Sequence, residues 1–92
     1  MTNKVPVDLM DKAIQTWGPH AQLLTVLEEM SELQKEILKN INRGKNNIDE
    51  IIDETADVEI MLEQMKHIFN IKEAVAKRIP IKLEKVKARL ED

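Results

Sequence analysis

The chain has no cysteine, only two glycines and three prolines, and only two aromatic residues, Trp17 and Phe69, among its 92 residues. The lack of cysteine excludes both a disulfide framework and a thiolate metal site or nucleophile. Two isolated glycines, Gly18 and Gly44, cannot form a glycine-rich phosphate-binding loop. With so few aromatics, the core must be aliphatic, with methionine filling the gaps.

The charge balance and the hydropathy pattern exclude two further classes. The net charge is −3, from 17 acidic and 14 basic residues, whereas a nucleic-acid-binding domain usually carries a clear basic excess. No apolar run approaches 18 residues, and the N-terminus from Met1 to Asp8 is polar and unlike a signal peptide. We therefore expect a soluble, cytoplasmic protein that binds neither nucleic acid nor membranes.

Leu, Ile, Met, Glu and Lys dominate the composition, and they favour helices. The apolar residues keep helical spacing between the glycines and prolines, so residues 1–92 are expected to form a single all-α domain. The predicted helices run from Val7 to Trp17, from Pro19 to Asn42, from a capping box at Asn47–Glu50 to Phe69, from Ile71 to Arg78, and from Pro80 to the C-terminus. The two long helices are expected to pack as an antiparallel hairpin with short flanking helices.

Several carboxylates fall on or beside the apolar stripes of the two long helices. In the second helix, Glu29 and Glu36 lie on the shoulder of the expected core stripe, and Glu32 lies just beyond them. That stripe consists of Leu23, Val26, Met30, Leu33, Ile37 and Ile41. In the third helix, Glu54 falls inside the apolar stripe, and Asp57 lies at its edge. That second stripe consists of Ile51, Val58, Met61, Leu62, Met65 and Phe69.

These positions indicate a metal site. An ionised carboxylate on a core-facing stripe is unfavourable unless it is paired, and four that converge from two helices repel one another. A divalent cation relieves both problems, and oxygen ligands without cysteine favour Mg²⁺, or Mn²⁺, over zinc. Either pair alone, Glu29 with Glu32 or Glu54 with Asp57, arises often by chance on a charged helix. The recurrence of the spacing on two facing helices is what favours a site.

Two segments, Glu28–Leu33 and Glu54–Val58, resemble the E-E-x-x-E…E-x-x-D signature of the MazG-like all-α nucleoside triphosphate pyrophosphohydrolases, a superfamily that includes the dimeric dUTPases. The 21 residues between Glu32 and Glu54 fit the variable spacer of the family. The similarity extends from about Trp17 to Arg89 and is strongest to the short phage-type members.

The resemblance implies an enzyme that converts an NTP or dNTP to the monophosphate and pyrophosphate. Glu29, Glu32, Glu54 and Asp57 would bind Mg²⁺, and a water held by the metal or by a carboxylate such as Glu29 or Glu32 would attack phosphorus.

The resemblance also implies a substrate-binding set outside the two motifs. Basic residues of the last helix would bind the phosphates, with Lys82 in the best-matching position and Lys85 or Arg89 as substitutes. The second family position, four residues after Lys82, falls at Val86, which departs from the pattern. Trp17 and Gln22 are candidates for contacts with the base. Lys35 and Lys39, one turn after the first carboxylate pair, are expected to form ion pairs within the helix.

Two other interpretations of the sequence stay open. The chain could be a non-catalytic helical interaction module with a solvated acidic surface, or a nucleotide-binding regulatory remnant that keeps the metal without the chemistry. Under each of these interpretations, and for an enzyme as well, the wide apolar stripe of the second helix needs another layer of helices to cover it. We expect a homodimer or homotetramer that completes a four-helix-bundle core, with Lys82 or Trp17 near a neighbouring subunit's site.

Overall fold

The computed structural model describes residues 4–91, and within that range the chain is entirely helical apart from turns and connections. The four helices are α1 (Val7–Trp17), α2 (Pro19–Arg43), α3 (Ile48–Phe69) and α4 (Lys72–Glu91). The predicted all-α class is confirmed, and the bounds of the first three helices differ from the predicted ones by a residue or so. No helix within residues 4–91 combines the length and the low polarity that a membrane crossing requires.

The predicted break before Pro80 is wrong, because α4 continues through it from Lys72 to Glu91. A proline inside a helix removes one backbone hydrogen bond, to the carbonyl four residues earlier, which here belongs to Ala76. Ala76 is exposed, so water can satisfy the carbonyl that the proline leaves without a donor.

The turn between α2 and α3 is held by Asn47, which is only 1 % exposed. Gly44 ends α2 in the left-handed conformation (φ 61°), which glycine adopts without steric cost. The predicted capping box is wrong: the Asn47 side chain makes no capping hydrogen bond to α3. Its amide instead donates to the backbone carbonyl and the Oε1 atom of Glu36, both at 2.9 Å, and its Oδ1 accepts from Asn40 at 3.3 Å. Asn47 therefore ties the start of α3 back to α2.

After this turn α2 and α3 run antiparallel and form the most extensive helix–helix interface of the described chain. Pairs of residues across the interface trace its course: Glu36 meets Asn47 near the turn, and Gln22 meets Gln64 at the far end. The prediction that the whole apolar stripe of α2 faces the core is wrong for three of its members. Met30, Ile37 and Ile41 are exposed, whereas Val26 is buried and Glu29 is half-buried. The face of α2 that packs on α3 is thus rotated towards its carboxylates.

The first helix is attached to the open end of this pair by a buried polar contact. Gln64 of α3 is buried, and its amide donates to the backbone oxygen of Met10 at 3.3 Å and to the Gln22 side chain at 3.2 Å. Beside it, His67 Nε2 lies 2.6 Å from Asp11 Oδ1. These contacts hold α1 against both long helices and place it well away from the turn.

The last helix has little contact with the rest of the chain. It follows Asn70, which ends α3 in the left-handed conformation (φ 54°), and it touches α3 only near its start. Val75 is half-buried, and every other residue of α4 is exposed. The chain consequently has a radius of gyration of 16.0 Å, compared with about 12 Å for a compact domain of this length.

Candidate metal centre

Three carboxylates meet at the middle of the interface between α2 and α3. One oxygen from each of Glu29, Glu54 and Asp57 lies within 4.8 Å of the other two. The antiparallel packing produces this arrangement: Glu54 and Asp57 are one turn apart on α3, and Glu29 faces them from α2. We refer to Glu29, Glu54 and Asp57 as the carboxylate cluster.

Within the carboxylate cluster, Glu54 has an oxygen atom that is shielded from solvent. Its Oε2 atom is buried and has no hydrogen-bond partner among the described residues. A carboxylate oxygen removed from water without a donor loses its hydration and gains nothing in return. A bound cation would supply the missing partner for this atom.

The other two carboxylates of the cluster also affect the pKa of Glu29. Partial burial raises the pKa of the Glu29 carboxyl above its ordinary value, and the negative charges of Asp57 and Glu54 raise the pKa further. The close approach of the Asp57 and Glu54 carboxyl groups also favours the protonated form of Glu29. At neutral pH the carboxylate cluster is therefore a concentration of negative charge that attracts protons and cations alike.

A second carboxylate on the same face of α2 has the opposite environment. Glu36 accepts from Asn47 at 2.9 Å and from Lys39 at 3.0 Å. The hydrogen bond from Asn47 lowers the pKa of Glu36, and Lys39 lowers it further through its own hydrogen bond and its charge. Glu36 is thus fully partnered within the chain, whereas the carboxylate cluster is not. The sequence pattern alone placed Glu29 and Glu36 together on one shoulder and could not separate them.

The carboxylate cluster fits a hard divalent cation by its donor set. It offers carboxylate oxygens, with no sulfur and no histidine among its members, and this is the chemistry that Mg²⁺ and Mn²⁺ prefer. Mg²⁺ is commonly held by one or two carboxylates together with water and substrate phosphates. The exposure of Asp57 leaves one side of the carboxylate cluster open to solvent, where such ligands could approach.

The fourth predicted ligand, Glu32, lies outside the carboxylate cluster. It is exposed on the next turn of α2, and its Oε1 is 3.8 Å from Lys35 Nζ. The second predicted ion pair, Lys39 with Glu36 at 3.0 Å, is also present. The structure therefore brings three of the four predicted ligands together and leaves Glu32 one turn away.

The predicted substrate-binding residues are spread over the molecule. Lys82, Lys85 and Arg89 are exposed on α4, the helix that has little contact with the rest of the described chain. Trp17 is 65 % exposed at the end of α1. Gln22 is buried, and its side-chain oxygen accepts from Gln64, so in this structure it connects α2 to α3. Within one chain, these residues do not converge on the carboxylate cluster.

Two structurally important residues were not identified from the sequence. Asn47 was assigned to a helix cap, and His67 had no visible partner, because its contact with Asp11 spans 56 residues of chain. Long-range polar contacts of this kind carry no local sequence signal.

The comparisons with known proteins add nothing further, since no protein-family model, curated protein or solved structure matches the chain.

Proposed function

We propose that the chain is a Mg²⁺-dependent nucleoside triphosphate pyrophosphohydrolase, the activity that its resemblance to the MazG-like enzymes implies. The observation that supports this proposal best is the carboxylate cluster, in which three acidic oxygens lie within 4.8 Å of one another. The buried, unpartnered Oε2 of Glu54 adds to it, because a purely structural glutamate at this position would be expected to have a donor.

In this proposal Glu29, Glu54 and Asp57 hold the cation at the α2–α3 interface. When bound, Mg²⁺ would neutralise the charge of the triphosphate, which is the main requirement of phosphoryl transfer. The packing of α2 on α3 already brings the three carboxylates within 4.8 Å of one another, which favours binding of a cation between them.

Glu32 has a different task in the proposed reaction. It is exposed, and its weak contact with Lys35 leaves its carboxylate accessible to water. Glu32 would orient a water molecule and accept its proton as the water oxygen forms a bond to phosphorus. The bond between the attacked phosphorus, α or β, and the oxygen that bridges these two phosphorus atoms would break, so the products would be a nucleoside monophosphate and pyrophosphate.

The phosphates and the base require further contacts, which we assign to the remaining predicted residues. Lys82, with Lys85 or Arg89, would bind the phosphates, and Trp17 offers an exposed ring on which a base can stack. Since α4 does not approach the carboxylate cluster of its own chain, the basic residues would reach it from a neighbouring subunit or after a movement of α4.

Product analysis tests the proposal directly. The protein, incubated with Mg²⁺ and a panel of canonical and modified NTPs and dNTPs, should yield monophosphate and pyrophosphate from at least one of them. Glu29→Ala, Glu32→Ala and Asp57→Ala should each lose most of that activity, because residues of one site act together. Glu59→Ala, on the exposed side of α3, is the matched control and should retain it.

Two results would contradict the proposal. Release of diphosphate and phosphate would indicate a different reaction. Nucleotide binding without turnover across the panel would favour a regulatory remnant.

A further inference from the structure

The last helix, α4, has an apolar stripe that is open to solvent along its length. Its members follow one another at intervals of three or four residues, so they lie on one side of the helix. The α4 apolar stripe consists of Ile79, Leu83, Val86 and Leu90. All four side chains are at least half exposed, and Leu90 is 82 % exposed.

A stripe of basic residues runs beside the α4 apolar stripe. Each apolar member is preceded in the sequence by a lysine or an arginine, so the two stripes are parallel and about 100° apart around the helix. The α4 basic stripe consists of Arg78, Lys82, Lys85 and Arg89. By the same helical geometry the three glutamates of α4 lie on the side opposite to both stripes. These glutamates are Glu73, Glu84 and Glu91.

The charge of the whole chain is divided unequally between α4 and the rest. Seven of the 14 basic residues and three of the 17 acidic residues lie in α4, which gives this helix a net charge of +4. The remainder has seven basic and fourteen acidic residues, a net charge of −7. None of the ion pairs among residues 4–91 involves α4. An anionic surface would therefore attract the chain through α4 and repel the rest of it.

We propose that α4 binds to the surface of an anionic phospholipid bilayer. The helix lies flat, with its apolar stripe at the boundary between headgroups and hydrocarbon. The long stems of the lysines and arginines let their charged ends reach the lipid phosphates, while the three glutamates face the water. The sequence led us to expect no membrane binding because it lacks a membrane-spanning run and a signal peptide, but a helix that lies on the surface needs neither. This binding does not depend on the proposed enzymatic activity.

The paired stripes favour a bilayer over two other anionic partners. Nucleic acid would attract the basic residues but would give the α4 apolar stripe no partner, and α4 has no aromatic side chain on which bases could stack. An acidic groove on another protein would have to match both stripes along a helix about 30 Å long. A bilayer provides an apolar layer beneath an anionic one at every point of its surface.

The strength of the binding follows from the same features. Each lysine or arginine held near an anionic membrane strengthens binding by about fivefold. Four apolar side chains add a modest contribution, and solvent ions screen the repulsion of the acidic remainder beyond about 8 Å at physiological salt. We therefore expect reversible binding that needs anionic lipid and is lost at high salt.

Vesicle flotation with the full chain provides the first test. The protein should float with vesicles of equal parts phosphatidylcholine and phosphatidylserine, and it should not float with phosphatidylcholine alone. Raising the salt concentration should release it. A chain that binds neither kind of vesicle, or both kinds equally, would overturn the proposal.

Two matched substitutions test the α4 apolar stripe. Ile79 belongs to the stripe and is 51 % exposed, whereas Ile81 lies on the opposite side of α4 and is 55 % exposed. Ile79→Asp should weaken binding to the anionic vesicles by about tenfold or more, because it places a carboxylate at the hydrocarbon boundary. Ile81→Asp makes the same chemical change away from the bilayer and should bind nearly as well as the native chain. Equal losses would mean that charge alone attracts the protein, and the proposed orientation would be wrong.

A second matched pair tests the α4 basic stripe. Arg78→Glu and Lys77→Glu change the net charge equally, but Arg78 is in the stripe and Lys77 is on the side of the glutamates. Arg78→Glu should weaken binding by fivefold or more, and Lys77→Glu should weaken it much less. The same effect from both would contradict the proposal, since binding would then follow the total charge. Neither residue is among those assigned to the nucleotide, so nucleotide hydrolysis should be unchanged in both variants.

Discussion

Glu54→Gln is the most informative single substitution, because it removes the charge of the half-buried carboxylate whose Oε2 atom has no partner, with little change in shape. Two unit charges 4.8 Å apart repel by about 1 kcal/mol in water and by about 3.5 kcal/mol at an effective dielectric constant of 20. Glu54→Gln eliminates two of the three repulsive pairs. Since Asp57 is exposed and solvent screens its charge, the lower end of this range applies, and we expect a gain of about 2 kcal/mol without metal.

The assay is thermal unfolding at one fixed protein concentration, with and without Mg²⁺ or Mn²⁺. A gain of about 2 kcal/mol corresponds to an increase of roughly 10 °C in Tm for a chain of this size. Metal should stabilise the native sequence, by about 1.4 kcal/mol at ten times the Kd, and this response should vanish in Glu54→Gln.

The control for this experiment is Glu59→Gln, the same substitution at an exposed position of α3. It should keep the metal response and leave Tm nearly unchanged. Two outcomes would refute the reasoning: a Glu54→Gln protein that is less stable than the native one without metal, or one that metal still stabilises fully. The first would mean that Glu54 is stabilised by a partner, and the second that the cation binds elsewhere.

Two further predictions concern the turn between α2 and α3. Asn47→Ala should lower the free energy of unfolding by about 1–3 kcal/mol in urea titrations, because it removes the hydrogen bonds of the Asn47 side chain with Glu36 and Asn40; an unchanged midpoint would contradict this role. The lowered pKa of Glu36 means that its ionised form is favoured in the folded state. The ionised Glu36 carboxylate contributes fully to the free energy of unfolding above the ordinary glutamate pKa, and this contribution is lost as the pH falls through the lowered pKa. The free energy of unfolding of Glu36→Gln should therefore decrease less at acid pH than that of the native chain.

Much of the local structure is encoded in short stretches of the sequence. The helical spacing of the apolar residues, Gly18 and Gly44 as stops, and Pro19 in a first turn were sufficient to predict three of the four helices nearly to the residue. These signals act within a turn or two of the backbone, where the sequence is itself the environment. The prediction of a break at Pro80 was wrong for a different reason. The free-energy cost of a proline within a helix depends on whether water can bind the carbonyl that loses its donor, and only the structure shows that this part of α4 is exposed.

The positions of the carboxylates were determined partly by the sequence and partly by the tertiary structure. Spacing alone placed Glu29, Glu54 and Asp57 on the faces that meet, since helical periodicity fixes which residues share a side. It could not determine the rotation of α2 about its own axis, because this helix has more apolar surface than α3 can cover. The packing placed part of that apolar surface against α3 and left Met30, Ile37 and Ile41 exposed. It also left Glu32 one turn outside the carboxylate cluster and gave Glu36 its partner in Asn47. Such choices depend on contacts between distant parts of the chain, and these form only when the helices assemble.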